Sequence, residues 1–171
     1  GTVSLTDWGA RAEAMLRDLS QISEPGPGVT RLPFTPEHRR ACDMLECWMK
    51  ETGLAVALDD AGTLTGRLEG PEGTGTFYLG SHQDSVREGG AFDGIMGVVL
   101  PLLALEKLRA EGVKLPFSVE SLALADEEGV RFPTALIGSR AMAGTFDSAV
   151  FDMVDGGGVT RQAGAMRPAV A

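Results

Sequence analysis

Histidine is scarce in this sequence: 171 residues hold only His38 and His82. Cysteine is as scarce, and Cys42 and Cys47 lie five apart in a helix-like segment. That spacing points their side chains to different faces and suits neither a disulfide nor a zinc ribbon. Both are expected to be reduced and to face the core. No stretch reaches the roughly eighteen consecutive apolar residues of a membrane-crossing helix. The opening GTVSLTDWGARAEAML also has no charged leader followed by an apolar block. The expectation is a cytoplasmic chain with no membrane partner. Basic residues are in deficit, 15 Lys and Arg against 24 Asp and Glu, and the net charge of −9 would repel a phosphate backbone, which argues against a nucleic-acid partner. No repeat of fixed period is present, and the 23 glycines cluster at segment junctions, so a collagen-like or low-complexity chain is excluded. What is there, 43% hydrophobic and 23% charged residues, suits one ordinary domain.

Along the chain, Trp8, Met15, Leu16 and Leu19 recur among charges, predicting an amphipathic helix from Thr6, its N-cap, to Ile22. A loop with Pro25, Gly26, Pro27 and Gly28 ends it. FTPEHRRACDMLECWMKETGL then has a full set of helix signals: Thr35 as N-cap, Pro36 at the first position, Glu37 in the first turn and Gly53 after the last. LAVAL and TLTGRL, joined by DDAG, read as a hairpin. Thr76 to Gly80 reads as a buried strand. GIMGVVLPLLALEKLRAEG reads as a helix against a sheet, with Asp93 at or near its N-cap and Pro101 as a point for a kink. Ser118 to Ala125 is a second buried strand, GSRAMAGTF starts another helix, and periodicity fades after Phe151. Helix, helix, hairpin, strand, long helix, strand, loop and helix make an α/β layered domain.

The polar residues fall at informative places. GSHQDSVREGGAFDG, residues 80–94, follows one inner strand, and DEEG, residues 126–129, follows the other. That edge is where open α/β sheets place ligand sites. Imidazole and carboxylate groups are zinc ligands, and a carboxylate such as Asp93 can bridge two ions. Asp84, two residues after His82, can reach the other ring nitrogen and fix the tautomer. Glu128 could bind metal while Glu127 moves a proton. A plainer reading stands beside each: Asp93 can serve as an N-cap in either case, and Glu127 with Glu128 can be a solvated strand exit. Asp126 can support the site or be a surface acid, and Arg131 and Arg140 can meet an anionic substrate or pair with local acids. His38, among charges, is expected to be exposed. EGPEGTGT lacks the Lys and Ser/Thr of a phosphate loop and precedes a strand, so that reading is set aside.

GSHQDSVREGGAFDGIMGVV and DEEGVRFPTALIGSRAMAGTF resemble the two signature blocks of the zinc-peptidase-like amidohydrolases that include N-carbamoyl-L-amino acid hydrolase, allantoate amidohydrolase and β-ureidopropionase. The resemblance implies a three-layer α-β-α sandwich of the zinc-exopeptidase type and two divalent metal ions, zinc or manganese. In it His82 binds one ion, Glu128 the other, and Asp93 bridges them. Glu127 is the general base and Asp84 supports His82. It also implies a small ureido or amide substrate, cleaved at a linear C–N bond, and a homodimeric full-length enzyme. Ser85 stands where the block usually has threonine, and Asp126 where it often has glutamate. Such enzymes are longer: a lid and dimerisation domain follows, and two more histidine ligands lie in later parts. No histidine follows His82 here. Residues 1–171 are therefore expected to be the N-terminal portion of a catalytic domain, without the lid and the C-terminal catalytic part, binding metal poorly or not at all, and inactive alone. Its incomplete sheet should leave unpaired edges that favour self-association. The rival readings are an aminoacylase or peptidase of the same metal architecture, and a non-catalytic fragment or interaction module.

Overall fold

The computed structural model describes residues 5–161. Helix α1 (Leu5–Ser20) buries Ala12, Leu16 and Leu19, one apolar stripe at helical spacing. The helix takes in Thr6, the expected N-cap, and it ends before Ile22. The end is set by buried Arg31, whose Nη1 donates to the carbonyls of Leu19 and Ile22, each at 3.0 Å. Helix α2 (Pro36–Glu51) is capped as its sequence predicts: Thr35 Oγ1 accepts from the His38 amide at 3.1 Å. Its inner face is His38, Ala41, Cys42, Leu45 and Met49. His38 is completely buried, contrary to the expectation of exposure. Phe34, at φ 57° in the left-handed region, turns the chain so that its amide donates to His38 Nδ1 at 2.8 Å and the ring lies inside. Cys42 is buried as expected, but Cys47 is exposed, because the five-residue offset carries it round to the solvent side.

Strands β1 (Ala55–Leu58) and β2 (Leu64–Leu68) form the predicted hairpin, and β3 (Thr76–His82), helix α3 (Met96–Ala110) and β4 (Ser118–Leu124) follow. The sheet order is β1-β2-β4-β3, with β3 and β4 parallel and the other pairs antiparallel. Strand β4 is thus central and buried, whereas β3 is at the edge. Phe77 and Tyr78 remain 56% and 53% exposed, so the expected buried strand at Thr76 to Gly80 is half open. Among the described residues no strand covers its outer side. Helix α3 continues through Pro101 to Ala110, and its N-cap position is Ile95; Asp93 lies near it, two residues earlier, with its backbone carbonyl accepting the Ile95 amide at 2.7 Å and no side chain capping the helix.

Leu16 and Leu19 of α1, Leu45 and Met49 of α2, Val98 and Leu102 of α3, Leu64 of β2 and Val119 and Ala123 of β4 share one core. The sheet and this layer of helices are the part of the three-layer architecture that the described residues carry. After β4 come a loop, a short helix α4 (Ile137–Met142) and a 3-10 helix, Ser148–Asp152, with a small core of Ala61, Ile137 and Val150. The β3-α3-β4 unit matters most for function. It makes two neighbouring parallel strands end on the same rim, His82 pairing with Leu124 in the last register position.

Candidate metal centre

Three segments meet at that rim. His82 is the last residue of β3, Asp93 comes from the loop entering α3, and Glu127 and Glu128 follow β4. His82, Asp93 and Glu128 each offer a ligand atom, and these atoms all lie within 4.8 Å of one another. His82 Nε2 is 3.8 Å from Glu128 Oε1 and 3.9 Å from Glu127 Oε2. Glycine is required beside the ring: Gly94 has φ +67°, and a Cβ there would fall 2.3 to 2.5 Å from His82 ring atoms. The loop can bring Asp93 over the imidazole only because residue 94 has no side chain.

Asp84 is buried below the rim. Its carboxylate accepts the amides of both Glu127, at 3.1 Å, and Glu128, at 3.2 Å. His82 Nδ1 meets the Asp84 backbone carbonyl at 2.8 Å and the carboxylate only at 3.6 Å. Asp84 therefore organises both halves of the site, the ring through its main chain and the double glutamate through its side chain. Below it, Arg31 donates Nε to the Gln83 carbonyl and its amide to Ser85 Oγ. Gln83 is itself fully buried, its Nε2 donating to Gly62 and Ala123 carbonyls and its Oε1 accepting from Cys42 Sγ. The buried Gln83, Asp84 and Ser85 side chains at the β3 exit are thus all hydrogen-bonded within the protein.

The electrostatics are those of an acidic cluster around one ring. Burial favours the neutral imidazole of His82, but the Asp84 carboxylate and carbonyl and the negative field of Glu127 outweigh it and lift its pKa to about 9. Burial raises the Glu128 carboxyl, and Glu127 adds to the rise. A proton on His82 occupies the place a cation would take, so cation and proton compete there. A donor set of one imidazole and two carboxylates fits a divalent ion of the zinc or manganese kind, with three protein donors for one ion. A separate cleft of about 470 Å³, lined by Leu54, Leu68, Leu105, Leu108, Arg109 and Lys114, lies at the opposite end of the sheet and has no part in this cluster.

Of the other residues singled out from sequence, Asp126 is fully buried and ion-paired with Arg161, not a surface acid. Arg131 pairs with Asp155 at 2.9 Å and donates to the Pro33 and Phe34 carbonyls, so its partner is a local acid. Sequence reasoning missed Arg31, Gln83 and Arg161. Arg31 within TRLPF, an isolated charge beside apolar residues, was the one visible signal.

An open α/β sheet whose adjacent parallel strands end in a histidine and a pair of glutamates has the architecture of the zinc-exopeptidase-like hydrolases. Comparison with known proteins narrows the class. The chain belongs to peptidase family M28, whose model matches residues 63–155. It is 43% identical over 154 residues to an N-carbamoyl-L-amino acid amidohydrolase of Geobacillus stearothermophilus, covering 89% of this chain and 38% of that protein. It is 34% identical to an allantoate deiminase of Arabidopsis thaliana, covering 88% of this chain and 29% of the relative. A crystal structure of a hydantoinase/carbamoylase family amidase from Burkholderia ambifaria superposes with a TM-score of 0.85 at 33% identity, over 91% of this chain and 39% of that one. The chain thus spans well under half the length of the relatives it matches, over their N-terminal part.

Proposed function

We propose that this chain carries part of the catalytic domain of a metal-dependent amidohydrolase that cleaves linear ureido or amide C–N bonds, in substrates of the N-carbamoyl-L-amino acid or allantoate kind. The observation that carries the reading is the convergence of His82, Asp93 and Glu128 within 4.8 Å, with Glu127 beside them. The names of the relatives support the substrate class.

In this reading His82, Asp93 and Glu128 hold a divalent cation, zinc or manganese, which when bound supplies Lewis acidity to the carbonyl under attack. The Asp84 backbone carbonyl accepts a hydrogen bond from His82 Nδ1–H, which leaves Nε2 facing the carboxylates. Glu127 has a half-open carboxylate and a main chain fixed by Asp84. It takes a proton from the attacking water and delivers it to the leaving nitrogen. Asp84 lies buried beneath both glutamates, holding their amides, and does not itself meet the substrate.

The described donors suffice for one ion; a second ion would have only shared ligands, so we infer that this chain alone lacks a complete two-metal site and is inactive. The test is a side-by-side assay of an N-carbamoyl amino acid, allantoate and an N-acyl amino acid with the complete gene product in zinc or manganese. Ureido cleavage abolished by Glu127→Gln supports the reading. Preference for the N-acyl substrate would move it to the aminoacylase or peptidase reading, and activity that survives Glu127→Gln would overturn it.

A further inference from the structure

Glu127 and Glu128 are bracketed by two buried or nearly buried charges, Asp126 before them and Arg131 after them. Both charges are paired with one distant turn. Asp126 pairs with Arg161, each essentially inaccessible, and Arg131 with Asp155, each with 13% of its side chain exposed. The turn is a small closed unit: Val154 bridges Thr160, Asp155 Oδ1 accepts from the amides of Gly157 and Val159, and the Arg161 amide donates to the Met153 carbonyl. Its apolar side chains do not hold it in place, since Val154 and Val159 are 49% and 39% exposed. What it inserts into the protein is charge. The Arg161 guanidinium lies 4.7 Å from the Phe34 ring and 5.0 Å from the Phe132 ring, and Arg131 lies 5.1 Å from Phe132.

The order of signs makes the attachment directional. The loop presents acid then base, at 126 and 131, and the turn presents acid then base, at 155 and 161. The pairs therefore cross, and reversing or sliding one segment would set like charges together. One ion pair would leave the loop free to swivel, whereas two at its ends fix both position and rotation. The loop also needs an external hold, because Asp126 at φ 53° and Leu136 at φ 60° are left-handed without being glycine. Asp84 holds the amides of Glu127 and Glu128 from the other side.

We propose that the turn 155–161 is a clamp on the Glu127–Glu128 loop, with Asp155 and Arg161 as positioning residues that set the two glutamates toward His82 and Asp93. This rests on the reading of those residues as a cation site. The test uses this chain with Asp155→Asn, which keeps the Oδ1 acceptor inside the turn and removes the charge facing Arg131, together with Arg161→Met and Arg161→Lys. Amide hydrogen exchange at Glu127 and Glu128 is compared with exchange at Val119 to Ala123 in β4, and Co²⁺ is titrated by its visible absorption. The clamp predicts exchange at the two glutamates faster by on the order of tenfold in Asp155→Asn and Arg161→Met, with β4 unchanged. It also predicts Co²⁺ affinity lowered several-fold, with Arg161→Lys recovering most of both effects. Unchanged exchange at Glu127 and Glu128, or an equal rise in β4, would overturn it. Should Arg161→Met fail to fold, Asp155→Asn decides alone, since its pair is partly open to solvent. Absence of Co²⁺ binding in the parent chain would sink the cation reading, while the exchange data would still decide the clamp.

Discussion

Lowering the pH should weaken this fold through one residue, His38, and the size of the effect can be worked out. Full burial drives the ring's pKa down from 6.5 to about 4; Asp84 opposes the fall, and Arg31 and Arg161 reinforce it. Nδ1 accepts from the Phe34 amide, so the native ring is neutral with its proton on Nε2. The folded pKa is depressed below the unfolded one, so the unfolded chain takes up the proton first as pH falls. The stabilising contribution is complete above about pH 6.5, declines between there and about pH 4, and is gone below. At about 1.4 kcal/mol per pH unit, a gap of this size is worth about 3 kcal/mol, equivalent to a melting shift of very roughly 6 to 12 °C in a domain of this length. The control is His38→Asn, which can still accept from Phe34 but does not titrate. The raised carboxyls of Asp59, Asp126 and Glu128 titrate in both proteins and cancel in the difference. Urea melts from pH 7.5 to 4 should show the parent losing about 3 kcal/mol relative to the variant. Parallel curves for the two proteins would refute the reasoning.

Other perturbations follow from the same contacts. Gly94→Ala should displace the His82 ring by around 1 Å and strain a left-handed residue, lowering zinc affinity at least tenfold while costing only about 1 to 2 kcal/mol of stability; calorimetry with a thermal melt checks both. A native thiol titration should find Cys47 reacting at once and Cys42 only on unfolding, since Cys42 is buried, donates to Gln83 and has its pKa pushed up to about 12. Phe77→Lys on the open edge of β3 should reduce self-association in sedimentation experiments without lowering the melting temperature, because Phe77 is 56% exposed.

Much of the fold was legible because its signals are local. Thr35, Pro36 and Glu37 specify the start of α2 within three residues, and DDAG specifies the hairpin. The candidate site was legible for a related reason: His82, Glu127 and Glu128 sit at the ends of apolar runs, and parallel strands joined by a helix must end on the same side. The misreadings concern partners that are distant in sequence. His38 lies among Glu37, Arg39 and Arg40 and looks exposed, yet its burial depends on the backbone turn at Phe34 and on packing near Gly62. The run TFYL is apolar enough for an inner strand, and nothing within it says which strand lies at the edge. Arg161 is buried by Asp126, 35 residues away, and by two aromatic rings, a contact that no local pattern announces. Asp84 does meet the imidazole, through its backbone carbonyl; what no local pattern announces is that its carboxylate also holds the glutamate amides, a direction set by how closely the ends of β3 and β4 approach.

The most direct test of the central claim is zinc stoichiometry by equilibrium dialysis on the parent chain, His82→Ala and Glu128→Gln. Three converging donors predict one equivalent of Zn²⁺ in the parent, bound more weakly at low pH and lost in both variants. Binding that is indifferent to His82 and Glu128, or two equivalents held tightly by the parent, would contradict the account.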